Sequence, residues 1–221
     1  ISTPIGYLCD ISFRAVECLK RADVIACEDT RHSSRLLKHI DVSGKELIAL
    51  HEHNEERRSA TLVERAMQGD QIVYLSDAGT PTISDPGYRL VNRCIEASLK
   101  VEVIPGPSAV TTALAGSGMP SDAFYFGGFL PVKSGRRQKV LEEALSRSET
   151  SIFFESPHRI LKSLLVVQEI APERPVCVAR ELTKKFETFH RGTASEILSE
   201  FAEGLVKGEI SLLLRGLGKA K

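Results

Sequence analysis

The sequence predicts an α/β protein of two domains, the first built on a mostly parallel sheet and the second on a mixed sheet. In the first half, short apolar runs alternate with segments of helical period, which indicates a parallel sheet covered by helices on both faces. Beyond residue 117 strand candidates outnumber helices, and two of them are joined too closely for a parallel crossover. We therefore predict domains at residues 1–116 and 117–221.

The elements of the first domain follow from hydrophobic period and from helix-capping residues. Asp10 is expected to cap a helix through Lys20, and another helix opens at Asn54 and stops at Gly69. Predicted strands cover residues 23–27, 46–50, 71–75 and 101–105, and the remaining predicted helices cover 33–40, 88–97 and 108–116.

The second domain is predicted to contain five strands with two or three helices among them. The strand candidates cover residues 123–129, 150–155, 175–181, 186–192 and 209–216. The third and fourth are expected to pair antiparallel because only a short connection separates them.

Composition excludes few classes of function. The chain has 221 residues, zero formal net charge, 42% hydrophobic and 26% charged residues, as expected of a soluble protein. Neither a membrane-length apolar run nor a signal peptide is visible. Because Ile1 stands just before a TPIG turn, we expect a leading strand to precede it.

Basic residues cluster locally, as phosphate backbones require, although solvated helix faces would give the same pattern. The clusters are Arg31, His32, Arg35, Lys38 and His39; Lys133, Arg136, Arg137 and Lys139; and Lys184, Lys185 and Arg191.

The five cysteines are odd in number and form no CxxC pair. Most lie in apolar context, so we expect reduced, buried thiols, a cytoplasmic location and no metal site.

Polar or small residues follow every predicted strand, which concentrates candidate chemistry at one edge of each sheet. The segments are EDTRH (28–32), HEHNE (51–55), SDAGTPTISDPG (76–87), PGPSA (105–109), ESPHR (155–159) and RELTK (180–184). SDAGTP and PGPSA offer small residues, so the backbone can approach a ligand closely. A zwitterionic, adenine-bearing cofactor suits such loops, whereas the absence of GKS/GKT and GxGxxG disfavours a P-loop and a dinucleotide site.

Each segment also has a purely structural interpretation. Ser156-Pro157 and Asp85-Pro86 are good helix starts, and PGPSA would serve as a tight turn. His51 and His53 straddle Glu52 and with Glu55 would suit zinc or manganese, but no third ligand is evident from the spacing.

Eight ordered segments resemble the bacterial ribosomal RNA small-subunit methyltransferase I family, within the tetrapyrrole-methylase superfamily. They are TPIGYLCDIS, ACEDTRHSSRLL, HEHNE, LSDAGTPTISDPGYRLV, VIPGPSAVTTAL, FGGFLPVK, FFESPHR and ARELTKKFE, with Tyr7 standing where the family usually has Asn. The resemblance implies two α/β domains with a cofactor cleft between them, a homodimer, and transfer of a methyl group from S-adenosylmethionine to the 2′-hydroxyl of a cytidine in 16S rRNA.

The resemblance also implies the cofactor-binding residues, and the polar strand ends and basic clusters supply the other candidates. Cofactor contacts would come from Pro4, Ile5, Asp77, Ala78, Gly79, Thr80, Ile83, Ser108, Ala109 and Phe154. A general base would activate the 2′-hydroxyl, with His53, Glu155, Asp29 or Lys184 as candidates, the lysine only if its pKa is strongly lowered. RNA phosphates would be held by Arg31, Lys133, Arg136, Arg137, Arg159 and Arg180.

Three other functions remain compatible with the residues. A methylase acting on a small tetrapyrrole (precorrin-type) would share the cleft, a non-catalytic RNA-binding protein would keep the basic clusters, and a metal-dependent hydrolase would use the HEH segment.

Overall fold

A computed structural model describes residues 1–202 and 204–218, which form two compact units divided between Ser108 and Ala109. The predicted domain boundary, after residue 116, falls near the end of a helix that the structure groups with the second unit. No helix in the described ranges is long and apolar enough to cross a membrane.

The first unit alternates helices and strands. After a short 3₁₀ helix at Leu8–Asp10 come α1 (Phe13–Arg21), β1 (Val24–Cys27), α2 (Thr30–His39), β2 (Glu46–Ala49), α3 (Glu55–Met67), β3 (Ile72–Leu75) and α4 (Tyr88–Glu96). The sheet has the order β2-β1-β3 with both pairings parallel, so all three carboxyl ends lie at one edge.

The central strand β1 organises the core of this unit. All four of its residues are buried, and alternate side chains point to opposite faces. Ile25 and Cys27 join a cluster with Leu19 of α1 and Leu37 of α2, whereas Val24 and Ala26 join a cluster that contains residues of α3 and α4. The sheet is therefore covered on both faces, as predicted.

Two local predictions in this unit were wrong. Ser12, and not Asp10, caps α1, because its hydroxyl accepts a hydrogen bond from the Ala15 N–H at 3.2 Å. Residues 101–105 form no strand; Ile104 O accepts one bond from Ser2 N at 3.1 Å, but no ladder follows. The helix predicted at residues 88–97 is confirmed as Tyr88–Glu96, and its N-cap is Gly87 and not Asp85.

The second unit confirms the predicted mixed sheet. Its elements are α5 (Ala109–Ser117), β4 (Phe124–Phe129), α6 (Ser134–Ser146), β5 (Thr150–Glu155), α7 (Ile160–Ile170), β6 (Val176–Arg180), β7 (Thr188–Gly192), α8 (Ala194–Phe201) and β8 (Ile210–Leu214). The strand order is β4-β5-β8-β6-β7. Strands β4 and β5 pair parallel, and the other pairings are antiparallel, including the predicted pair β6–β7.

Helices α6, α7 and α8 pack on one face of this sheet. Their buried residues Leu141, Leu164 and Ile197 share a cluster with Phe153 and Leu212 of the strands. Helix α5 packs on β6, β7 and β8.

The cysteines are all free thiols, as predicted, but only Cys27 and Cys177 are buried. Cys9 is exposed because it lies in the 3₁₀ turn outside the sheet, and Cys18 and Cys94 are half-buried on helices. The prediction of general burial was therefore wrong for three of the five.

Candidate active site

Three of the predicted cofactor-binding segments meet within the first unit. Thr3 and Gly79 form an isolated antiparallel bridge, with N···O distances of 2.8 and 3.1 Å. The Thr80 hydroxyl lies 3.0 Å from the Ser2 hydroxyl and donates to Pro107 O at 3.3 Å. The TPIG, SDAGT and PGPS segments are thus tied together at the carboxyl ends of the strands.

Two glycines allow this approach. Gly79 has φ +80°, a conformation that non-glycine residues adopt at a cost. Gly106 has no such φ, but a Cβ there would lie 3.0 Å from Ser2 Cβ. Ala78, between Asp77 and Gly79, forms no hydrogen bond within the described residues, so its peptide groups stay available to a ligand.

The segment from Thr80 to Gly87 is strained. Thr82 and Ser84 have φ +73° and +63°, and such residues cluster at functional sites. Gly87 has φ +117°, and a Cβ there would lie 2.4 Å from the ring of Tyr74. The predicted contact Ile83 lies at the exposed tip, with 44% of its surface accessible.

Four carboxylates collect at the ends of β1 and β3. The Asp29 N–H donates to Asp77 Oδ1 at 3.1 Å, and the Asp77 N–H donates to the Glu28 carboxylate. Burial, with the charges of Glu28 and Asp77, raises the pKa of Asp85 to about 6, although the Ser76 hydroxyl opposes this shift. Burial and the charge of Asp77 also raise the pKa of Glu28.

Sequence reasoning missed Glu28 and Asp85 as site residues. Glu28 directly follows the fully buried strand β1, which indicated a site residue at that position. The prediction named only the segment EDTRH as a whole. Asp85 was interpreted only as a possible helix cap. Asp29, one of the candidate bases, caps α2 by accepting from Arg31 N at 2.8 Å.

The HEHNE segment places His53 at the surface. His51 is half-buried. Its backbone N–H donates to Asn54 Oδ1 at 2.9 Å, and its ring contacts the Asn54 amide at 3.0 Å. The two imidazoles are 6.1 Å apart, edge to face. The His53 ring forms no hydrogen bond within ranges 1–202 and 204–218, which also contain no group of three side chains placed to hold a metal ion.

Glu155, predicted as a base, is fully engaged at the start of α7. Its Oε1 accepts from Ser156 N at 2.7 Å and pairs with Arg159 at 2.8 Å, while Oε2 accepts from the Ser163 hydroxyl at 2.7 Å. Its side chain is completely buried. Arg159, predicted to bind phosphate, is therefore held against Glu155, and α7 begins at Ile160 rather than at Ser156-Pro157.

Lys184 does not have the strongly lowered pKa that a lysine base requires. Its ammonium lies 3.0 Å from both the Glu181 and Glu209 carboxylates. Burial lowers the pKa of Lys184, but the two carboxylates together outweigh burial and raise it. Lys184 is a structural cation that ties the loop after β6 to the segment before β8.

The arginines predicted to bind RNA differ widely in exposure. Arg31 is exposed, as is Arg136, together with Lys133. Arg137 is buried and donates to the carbonyls of Val132 and Pro131 at 3.1 and 3.4 Å, so it is not available to phosphate. The guanidinium of Arg180 likewise donates hydrogen bonds within the protein, to Thr188 Oγ1 and to the carbonyls of Phe186 and Lys207.

Of the other predicted cofactor contacts, Pro4 and Ile5 are buried beside Gly79. Ser108 and Ala109 stand half-buried at the start of α5. Phe154 is half-buried on β5, where its ring contacts Phe126 and Phe129.

Comparison with known proteins shows which family the chain belongs to. The sequence profile of the tetrapyrrole (corrin/porphyrin) methylases matches residues 1–198. Ribosomal RNA small subunit methyltransferase I of Vibrio cholerae serotype O1 is 49% identical over 219 residues, which cover 98% of this chain and 76% of that protein. The enzyme of the same name from Escherichia coli O157:H7 is 46% identical over the same shares. The chain belongs to the ribosomal RNA small subunit methyltransferase I family.

Solved structures agree at the level of fold. A cobalt precorrin-4 methyltransferase of cobalamin biosynthesis has a TM-score of 0.70 and covers 97% of this chain and 92% of that one, at 19% identity. The family member described here therefore has the tetrapyrrole-methylase fold, as the sequence motifs implied.

Proposed function

We propose that this protein transfers a methyl group from S-adenosylmethionine to the 2′-hydroxyl of a cytidine in the 16S rRNA of the small ribosomal subunit. Family membership supports the reaction class. Within the structure, the proposal depends above all on the meeting of the TPIG, SDAGT and PGPS segments at the carboxyl ends of a parallel sheet.

The chemistry of these segments fits the cofactor. They present peptide groups and hydroxyls, and the unbonded peptide of Ala78 lies among them. Gly106 lets the PGPS segment lie against Ser2, because a Cβ there would come to 3.0 Å from Ser2 Cβ. No lysine or arginine stands in residues 2–5, 76–80 or 105–108, which suits a ligand without phosphates.

Pro4, Ile5, Asp77, Gly79 and Thr80 would hold the cofactor together with Ala78 and Ser108. Ile83, at the exposed tip, and Ala109 and Phe154 would be further contacts. The bound sulfonium supplies an activated methyl group, so the protein needs chiefly to orient the attacking oxygen and remove its proton.

His53 is the proton acceptor that we propose among the predicted candidates. Its ring is exposed and makes no hydrogen bond to any described residue, whereas both Glu155 oxygens are occupied and Lys184 is held as a cation. It also follows β2 at the edge of the sheet that carries the cofactor segments. Asp29, occupied as the α2 cap, is the weaker alternative.

RNA phosphates would be bound by the exposed cations Arg31, Lys133 and Arg136. Arg159 and Arg180 would act indirectly, by positioning α7 and the loop after β6. We further propose that the enzyme is a cytoplasmic homodimer that acts on the small ribosomal subunit.

The test is methyl transfer from labelled S-adenosylmethionine to small subunits that lack the modification. Nucleoside mass spectrometry after digestion is expected to identify 2′-O-methylcytidine. Label that appears on a porphyrin and not on RNA would instead establish the tetrapyrrole methylase, and activity that a chelator abolishes would favour a metal-dependent enzyme.

A matched pair of variants tests the cofactor segments directly. Gly106→Ala, which brings a Cβ to 3.0 Å from Ser2, is expected to weaken cofactor binding in calorimetric titration. Gly204→Ala, where a Cβ meets nothing within 4 Å, should leave it unchanged. Equal affinities for the two variants would contradict the proposed location.

A further inference from the structure

On one face of the second sheet, α5 packs on three of the five strands. Phe153 and Tyr125 point to the face covered by α6, α7 and α8. Helix α5 lies on the opposite face, where Gly116 contacts Phe189, and packs on β6, β7 and β8. On that face, strands β4 and β5 carry the phenylalanines Phe126, Phe129 and Phe154.

A bulge in β4 brings these phenylalanines together. Phe126 pairs with Ile152 and Phe129 with Phe154, so β4 has one more residue than β5 between the two pairs. The extra residue turns Phe129 to the face that carries Phe126 and Phe154. Ring centroids are 5.0 Å apart for Phe126 and Phe154 and 5.3 Å for Phe129 and Phe154.

The two glycines of FYFGGF allow the bulge. A Cβ at Gly127 would lie 2.3 Å from the Phe153 ring, and Gly128 has φ +67°. The two glycines therefore permit an irregular strand. In this strand Phe129 points outward and is 61% exposed. Bulges often redirect a side chain beside a functional site.

Cations follow the aromatic cluster immediately. The chain leaves β4 at Phe129 and reaches α6 through exposed Lys133, and Arg136 is exposed in the first turn of that helix. Neither cation forms an ion pair within the described part of the chain. The first-turn N–H groups of α6 have no side-chain cap, which adds to the positive potential.

We propose that the exposed ring of Phe129, which packs edge to face on Phe154, is a stacking platform for an unpaired RNA base, and that Lys133 and Arg136 bind the phosphates beside it. Aromatic faces next to free cations are what single-stranded RNA requires, because each nucleotide offers a π-face and a negative charge. A ribose 2′-hydroxyl is most accessible on a nucleotide that has left its helix, so such a platform would hold the substrate strand open. The inference rests on the proposed function, since it names how that substrate is bound.

The test compares two conservative variants at Phe129. Binding of a fluorescein-labelled oligocytidylate RNA is measured by anisotropy at fixed, low salt. Phe129→Leu removes the π-face but keeps an apolar side chain, and it is expected to weaken binding about tenfold. Phe129→Tyr is expected to bind like the wild type, as is Phe13→Leu, which changes a phenylalanine that is 93% exposed in the first unit.

Several outcomes would overturn the platform. RNA affinity of Phe129→Leu equal to that of the wild type would do so. A loss of S-adenosylmethionine affinity in Phe129→Leu in the absence of RNA would assign the Phe129 ring to the cofactor, and dissociation of a dimer would assign it to contact between copies.

Wild-type activity separates this inference from the proposed function. If the wild type methylates small subunits but does not bind the oligonucleotide, only the platform is wrong. If it neither methylates small subunits nor binds RNA, the proposed function itself fails.

Discussion

The carboxylate of Glu55, in the first turn of α3, caps α4 by accepting hydrogen bonds from the backbone N–H of Gly87. The N···Oε1 distance is 2.8 Å, and the same oxygen accepts from Arg89 N at 2.9 Å. Glu55 is buried, so one side chain both satisfies two helix-end donors and places its charge at the positive end of α4. It also fixes the end of the strained segment that carries Asp85.

Replacing Glu55 by Ala is therefore expected to destabilise the protein by about 2 kcal/mol, because the buried N–H of Gly87 and the partly buried N–H of Arg89 lose their acceptor. Urea unfolding of variant and wild type gives the difference. Glu56→Ala is the control, since Glu56 is exposed and pairs with Arg89 and Arg93 only at the surface. A Glu55→Ala midpoint no lower than that of Glu56→Ala would contradict the capping role.

Asp85→Asn is expected to stabilise the protein at neutral pH. Because the pKa of Asp85 is raised from 3.8 to about 6, the folded state binds more protons than the unfolded state between these values. Stability from this group is present below that window and is lost as the pH rises through it. After allowance for the solvent that reaches Asp85, the gain at about pH 7 is about 1 kcal/mol.

Urea unfolding near pH 7 and near pH 4 measures this effect, which should be close to zero at the lower value because Asp85 is then largely protonated. Asp10→Asn, at an exposed carboxylate, serves as the control. If Asp85→Asn were less stable than the wild type at neutral pH, the carboxylate cluster would be stabilising and the assigned environment of Asp85 would be wrong.

The sequence predicted the sheet types and the edge that carries the chemistry because both depend on local pattern. Apolar runs such as VIAC identify buried strands, and the residues that follow them must lie at the carboxyl edge of a parallel sheet. The contact between Glu55 and Gly87 joins residues 32 positions apart, and no local period encodes it. Residues 101–105 alternate like a strand but lack a ladder partner, which only the tertiary structure decides.

Some errors were avoidable. Arg137, Leu141 and Ala144 recur at helical spacing on the buried face of α6, so the period alone could have separated Arg137 from Arg136. The two glycines of FYFGGF likewise indicated a bulge. By contrast, the engagement of Glu155 by Ser163 and Arg159 depends on how α7 lies beside β5, and a residue-by-residue likeness to a family does not reveal it.

Cys9 is expected to be the first thiol to react with iodoacetamide. It is the exposed cysteine, whereas burial raises the pKa of Cys27 and Cys94 and raises that of Cys177 to about 11. Peptide mass spectrometry after brief labelling identifies the modified residue, and Cys9→Ser should abolish the fast phase. Rapid labelling of Cys177 in the folded protein would show that β6 is accessible, against the structure.

Arg136 and Arg137 are expected to have separate roles although they are neighbours. Arg136→Gln should weaken RNA binding and reduce the dependence of log affinity on log salt by about 1, because one phosphate contact is lost. Its folding stability and its affinity for S-adenosylmethionine should not change, since the side chain is exposed. Anisotropy titrations over a range of salt concentrations measure the slope.

Arg137→Met is the matched variant, and it is expected to lower folding stability while leaving the salt dependence of RNA binding unchanged. The methionine keeps the apolar part of the buried side chain but leaves the Val132 and Pro131 carbonyls without their donor, so unfolding in urea should show a loss of about 1–3 kcal/mol. Its salt slope should match that of the wild type, measured at a temperature where the variant remains folded. A reduced slope for Arg137→Met with unchanged stability would mean that this guanidinium reaches RNA, and the buried position of Arg137 would then not describe the protein in solution.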